Sequence, residues 1–327
     1  MPADPPVWVL LGHRTGDNNQ LLRLASEIGL PFEAIDLGYN ALRPLPARIV
    51  GAHLVTLDAR SRGRIAPPWP KLVLGIGNRS VPASLAIRRM SGGRTRVVRL
   101  GNPRVSPSRF DLVITTPQYA VPDGPNVVRL AAGISTAPPL QPTREEREWL
   151  AKLPRPHRLL LIGGDSFMWS LRAATVAKAA ENLASKGTGC VIPVDSARTR
   201  EPVRHAVEMA LKGRDHFLVW GRFPRYPVLL HDADEIFVTA DSVAMISDAI
   251  ATGKPVGLIE PEMTAAGRFF YAAAGAGGNV PVRDIRRFWR SMKSLGLAGS
   301  VEEPRAGALP EDPLATAVTA VRKLLES

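Results

Sequence analysis

Residues 7–30, VWVLLGHRTGDNNQLLRLASEIGL, decide the fold. The run VWVLLG is continuously apolar and closes on a glycine. A polar stretch follows, His13 to Gln20, and then apolar residues recur at Leu21, Leu22, Leu24, Ala25 and Ile28. That spacing is helical, so the stretch reads as a strand, a polar loop and a helix near 18–29.

The same alternation continues through residue 132. FEAIDL (32–37), HLVTLD (53–58), KLVLGIG (71–77), RVVRLGN (96–102), DLVITT (111–116) and NVVRLAA (126–132) read as strands. A helix near 80–91 carries Pro82 in its first turn, where proline is tolerated. Apolar strands separated by helices predict a parallel sheet covered on both faces. The segment 133–142 is rich in proline, serine and glycine and reads as a hinge.

The second half repeats the pattern. RLLLIGG (158–164), GCVIPVDS (189–196), HFLVWG (216–221), EIFVTA (235–240) and PVGLIEP (255–261) read as strands. Helices are expected near 168–186, 201–211 and 242–252. The fold class is therefore α/β, with two Rossmann-like domains at 1–135 and 143–312. A terminal helix at 313–327 is expected to pack back on the first domain.

Bulk properties narrow the function. No apolar run reaches the roughly 18–20 residues that span a bilayer, and the start MPADPPVWVLLG has no basic leader. A single cysteine, Cys190, excludes an internal disulfide. No metal-ligand spacing is present, so no metal is expected, and a cytoplasmic location fits. Net charge is +12. Between Arg43 and Arg109 fourteen basic residues stand against one acid, Asp58, and a second basic cluster runs from Arg283 to Lys293. Such a local excess points to a polyanion, or else to a solvated basic face. Nucleic acid is the weaker candidate, since no reader motif or aromatic-basic pattern accompanies the charge.

In open α/β sheets, ligands bind beyond the carboxyl ends of the strands. Three loops of the second half qualify. In IGGDSFMW, Gly163 and Gly164 allow close backbone approach, and N–H groups of a helix starting there favour an anion. Asp165 or Ser166 can instead cap that helix. In ADEIFVTADSVAMISDAIATGKPV, Asp241 or Ser242 caps a helix carrying Met245 and Asp248. Asp248 suits the two hydroxyls of a ribose, or is an ordinary solvated residue. In LVWGRFPRYP, Trp220 and Arg222 suit a nucleobase and a phosphate, or Trp220 is simply buried.

ISDAIATGKPV resembles the donor-site helix of GT-B glycosyltransferases, in which an acid holds the ribose of a nucleotide sugar; Asp248 occupies that place. IGGDS resembles the Gly-Gly loop beside the diphosphate in the same fold. Over residues 7–260 the chain is similar to the "mitochondrial fission, elongated mitochondria" family, through GHRTGDNNQ, RLGNPR, FDLVITTPQY, LIGGDS and VTADSVAMISDAIATGKPV. The family name implies a scaffold for fission machinery, and its bacterial members are often labelled nucleoside-diphosphate-sugar epimerases. No glycine-rich dinucleotide loop follows the first strand here, and no Tyr-x-x-x-Lys pair occurs.

The GT-B resemblance implies two domains facing across a cleft and a metal-independent transferase. Its donor substrate would be a nucleotide-diphosphate sugar, with no further cofactor. It places the loop after the first strand on the acceptor side. There His13 and Asp17 are the candidates for general base, unless Asp17 or Asn18 merely caps the helix. Arg14, Gly16, Asn18, Asn19, Gln20, Asn78 and Asn102 would line the same side, with Arg14 suited to phosphate. A basic first domain suits a peripheral location on the anionic inner face of the cytoplasmic membrane, beside a lipid-linked or envelope acceptor. The competing reading is a non-catalytic GT-B scaffold or nucleotide-sugar-binding module.

Overall fold

A computed structural model describes residues 6–214, 216, 218–275 and 283–326. The chain divides into two compact units, one formed by residues up to Thr136 with Glu311 onward, the other by Ala137–Pro310.

The first unit is built on a six-stranded sheet. Its strands are β1 (Val7–Leu11), β2 (Phe32–Asp36), β3 (Leu72–Ile76), β4 (Arg96–Leu100), β5 (Leu112–Thr115) and β6 (Val127–Arg129), in the order β2-β1-β3-β4-β5-β6. All neighbours run parallel, with Val9 opposite both Ala34 and Leu74. Because side chains alternate along a strand, β1 feeds two cores. Val7, Val9 and Leu11 meet Leu21, Leu24 and Ile28 of α1 (Thr15–Ile28). Trp8 and Leu10 face the other way, toward Ala83 and Ile87 of α4 (Val81–Met90). The terminal helix α12 (Pro313–Glu326) joins the first core through Ala317, Val318 and Val321. Arg322 of that helix donates to the carbonyls of Glu27 and Ile28, supplying partners that the end of α1 lacks.

Two expectations need correction here. HLVTLD is not a strand: only Leu57 bridges Tyr39, and short helices, α2 (Ala47–Val50) and α3 (Ala59–Arg64), flank the segment. The Asn40 side chain takes the Val55 and Leu57 carbonyls at 2.7 and 3.0 Å, and Asp58 caps α3 by accepting from the Ser61 amide. Side-chain to backbone bonds of this kind displace a ladder. Further, α1 begins at Thr15, so the polar residues 15–20 are its first turns and the loop itself is only Gly12 to Arg14.

In the second unit α5 (Arg144–Leu150) opens with a capping box between Thr143 and Glu146. The sheet comprises β7 (His157–Leu161), β9 (Cys190–Val194), β10 (Glu235–Thr239) and β11 (Val256–Ile259), all parallel, in the order β11-β10-β7-β9. A small antiparallel pair, β8 (Trp169–Ser170) with β12 (Glu262–Met263), stands apart. The helices are α6 (Ala173–Ala184), α7 (Glu201–Leu211), α8 (Tyr226–Asp232), α9 (Val243–Ala251), α10 (Ala265–Gly275) and α11 (Ile285–Ser294). The expected strand at 216–221 is reduced to bridges of His216 to Val191 and Val219 to Val194; Phe217 lies outside the described residues.

Within each parallel sheet the first strand lies between the second and the third. The order therefore reverses direction between β1 and β3, and again between β7 and β10. These are the switch points at which doubly wound sheets hold ligands.

Candidate functional site

At the switch point of the second unit, the loops after β7 and β10 are tied together. The Gly163 amide donates to Thr239 Oγ1 at 2.7 Å, and the Gly164 amide donates to Asp241 Oδ2 at 3.1 Å. The Thr239 hydroxyl donates in turn to Asp241 Oδ1 at 2.8 Å. Arg198, from the loop after β9, places Nη2 2.7 Å from Asp241 Oδ2 and Nη1 3.1 Å from the Gly164 carbonyl. The Asp241 side chain is 1% exposed, so this carboxylate organises the strand ends from within.

The two glycines are required by proximity. A Cβ on Gly164 would lie 2.0 Å from the Arg198 carbonyl oxygen, and one on Gly163 would lie 2.3 Å from Asp241. Their amides do not open a helix, as the sequence suggested. Residues 165–172 form a bonded loop instead: the Ser166 amide donates to the Trp169 carbonyl, Ser166 Oγ accepts from the Trp169 amide, and Asp165 accepts from the Leu171 amide. The helix starts only at Ala173, with Arg172 as its N-cap, so neither Asp165 nor Ser166 caps it. Asp165 also pairs with Arg200 at 3.1 Å. Arg198 and Arg200 escaped the sequence reading, although SARTR directly follows a strand-end signal.

Ser242, rather than Asp241, caps α9 by accepting from the Met245 amide. Asp248 lies further along α9 and is 4% exposed, so it is no solvated residue. It accepts from the Tyr226 hydroxyl at 3.4 Å. Burial, and then the Asp248 charge, push the Tyr226 phenol well above its ordinary range. Trp220 is committed elsewhere: its Nε1 donates to Glu208 Oε1 on α7 at 2.6 Å, and its ring packs on the core of the unit. Arg222 is exposed and Met245 half-buried.

In the first unit Asn18 neither caps α1 nor faces a ligand freely. It accepts from the Gly12 amide at 2.9 Å and donates to the Gly12 carbonyl at 2.8 Å, stitching the helix to the end of β1. Asp17 sits in the first turn, and the N-cap, Arg14, uses no side chain. The Gln20 side chain donates to the Gly16 carbonyl, and Asn19 is exposed. The His13 ring is held below 6.5 by partial burial, then by Arg79 and Arg14, with Arg43 adding to them and Asp17 opposing. The charges of guanidinium groups from three segments thus act on His13. Asn78 and Arg79 follow β3, and Asn102 follows β4, where its side chain accepts from the Arg104 amide.

Among the described residues no three His, Cys, Asp or Glu side chains gather where a metal ion can be held, and no helix is long and apolar enough to cross a membrane.

Residues 15–274 match the family Mitochondrial fission ELM1. The chain belongs to that family. Among curated ELM1 relatives, Mitochondrial fission protein ELM1 of Arabidopsis thaliana is 25% identical over 216 residues, 57% of this chain and 51% of the relative. The chain thus spans about half the length of that relative. Solved structures similar to this ELM1-family chain include UDP-GlcNAc 2-epimerase from Neisseria meningitidis bound to UDP-GlcNAc, with 13% identity, 98% and 100% of the two chains covered and a TM-score of 0.54. A UDP-glucosyltransferase from Polygonum tinctorium aligns over 100% of both chains at 12% identity, with a TM-score of 0.52. The fold of this ELM1-family member is GT-B-like, an α/β architecture of Rossmann-like units.

Proposed function

We propose that the protein binds a nucleotide-diphosphate sugar at the β7–β10 switch point. It then transfers the sugar, without a metal, to a lipid-linked or envelope acceptor. The observation that carries this reading is the Asp241-centred tie between the two strand-end loops, flanked by Arg198 and Arg200. It makes a rigid, cation-rimmed strand end of the kind that suits a diphosphate. The amides of Gly163 and Gly164 shape this loop rather than bind the anion. Asp248 takes the ribose hydroxyls once Tyr226 yields its place.

In the transfer, the acceptor oxygen bonds to the anomeric carbon while the bond from that carbon to the diphosphate breaks. His13 takes the hydroxyl proton: partial burial, and then the charges of Arg79 and Arg14, favour the neutral ring, and a neutral ring is a competent base. Asp17 is the alternative acceptor of that proton. The basic residues between Arg43 and Arg109 that reach the surface, which excludes the buried Arg99, support peripheral docking on the anionic inner face of the cytoplasmic membrane.

A second reading, a non-catalytic scaffold or nucleotide-sugar-binding module on the same fold, draws on the Asp248 carboxylate being covered by Tyr226. A thermal-shift titration with UDP and GDP, followed by a donor-hydrolysis assay, tests both. Binding raises the melting temperature by mass action on the native state, and Asp248→Ala should abolish the rise. Hydrolysis suppressed by His13→Ala or Asp17→Asn supports the enzyme. Binding without turnover supports the module, and no shift with either nucleotide overturns both.

A further inference from the structure

The first unit has an anion site of its own. Beyond the ends of β2, β3 and β4 lies a cavity of about 260 Å³. Tyr39, Arg43, Thr56, Asn78, Arg79 and Arg104 line it, and no carboxylate does. The three arginines are exposed, and none forms an ion pair among the described residues. Guanidinium groups repel one another, and an anion seated among three of them relieves that repulsion. Their planar forks match phosphate oxygens.

A fourth guanidinium lies beneath. Arg99 of β4 is 0% exposed. Its Nη1 donates to Ser80 Oγ at 3.0 Å and Ser84 Oγ at 3.2 Å, its Nη2 donates to the Gly77 carbonyl, and its Nε has no partner. Among the described residues no acid pairs with it. Gly75 makes room for it, since a Cβ there would stand 2.1 Å from Nη1. Arg99 thus holds the 77–80 loop, which carries the lining residues Asn78 and Arg79, and brings a positive charge with no acid partner among the described residues to the base of that loop. A buried charge without a counter-ion is costly, and an anion seated above it lowers that cost.

We propose that this cavity seats a phosphate or pyrophosphate group belonging to the acceptor. Assigning the anion to the acceptor rests on the transfer reading above; the anion site itself does not. The acceptor class is then a phosphate-bearing molecule rather than a neutral sugar or protein side chain.

The test is calorimetric titration with inorganic pyrophosphate at constant ionic strength, with the His13 ring followed by NMR. In the wild type, pyrophosphate should bind and raise the pH at which His13 titrates, because it offsets the Arg79 and Arg43 charges. Arg79→Gln/Arg104→Gln, at two exposed positions, should weaken binding by about tenfold or more and remove the His13 response. Equal binding by the double variant, or no pyrophosphate binding by the wild type, overturns the site. UDP titrated in parallel separates the two proposals. If UDP fails while pyrophosphate binds through Arg79 and Arg104, the donor reading falls and the anion site stands. Sedimentation with phosphatidylcholine vesicles containing phosphatidic acid distinguishes the sources. Capture that depends on Arg79 and Arg104 assigns a lipid headgroup, and pyrophosphate binding without capture assigns a soluble phosphate ester.

Discussion

The Gly164 amide donates to Asp241 Oδ2 at 3.1 Å, although the two residues lie on loops 77 positions apart. One buried carboxylate fixes the distance between two strand ends. The same carboxylate oxygen also accepts from Arg198 Nη2 at 2.7 Å.

Asp241→Ala should therefore be among the more damaging single changes in the second unit. It strands the Gly164 amide and the Thr239 hydroxyl and releases Arg198. A loss of about 3 kcal/mol is expected, within the range for breaking a buried charged network. Urea unfolding measures it, and a loss under about 0.5 kcal/mol, typical of a neutral surface change, would contradict the structural role.

Glycine positions should divide sharply. Gly164→Ala forces a methyl against the Arg198 backbone and should cost about 1–3 kcal/mol. Gly12→Ala meets nothing within 4 Å and should be nearly silent. Comparing the two melting temperatures checks the claim, and equal effects would refute it.

Acid stability should depend on Glu146. Hydrogen bonds from Arg225 hold its carboxyl at about 2, below its ordinary 4.5, with the Thr143 and Arg225 amides assisting against burial. A carboxylate depressed in the folded state contributes stability that is complete above about pH 4.5 and is lost as pH falls toward 2. Glu146→Gln should thus be less stable than wild type at pH 6, with the gap closing toward pH 2. A gap that does not change with pH would contradict the ion pair.

His13 should titrate below 6.5 in the unliganded protein, since burial, Arg79 and Arg14 disfavour its charged form. Arg79→Gln should move the midpoint upward. Ring-nitrogen chemical shifts against pH provide the measurement, and a wild-type midpoint above 6.5 would remove His13 from the arginine cluster.

The alternating strands and helices were legible because fully buried strands such as VWVLL and LVLGI leave continuous apolar runs. HLVTLD misled because its apolar residues look like a buried run, yet only Leu57 among them is buried, Val55 is exposed, and Asn40 takes the Val55 and Leu57 carbonyls that a ladder would need. Within the site, strand-end glycines and the acid of TADS stand out in sequence because the fold places them at a switch point. What they do there was not legible. Whether the Gly164 amide faces a ligand or Asp241 depends on a contact 77 residues away. Arg99 was counted only as one more basic residue, since nothing local in RVVRLGN distinguishes a buried guanidinium from an exposed one.

The packing of α12 on α1 bears on how the protein is made. The first unit draws its core from both sequence extremes, with Val318 and Val321 beside Leu21 and Leu24. During synthesis, the stretch from Ala137 to Pro310 leaves the ribosome before α12 does. The middle of the chain is therefore free to fold first, while the earliest strands wait for the last helix to cover them. Expression of residues 1–136 alone should yield an aggregation-prone fragment, and supplying the α12 peptide in trans should rescue it.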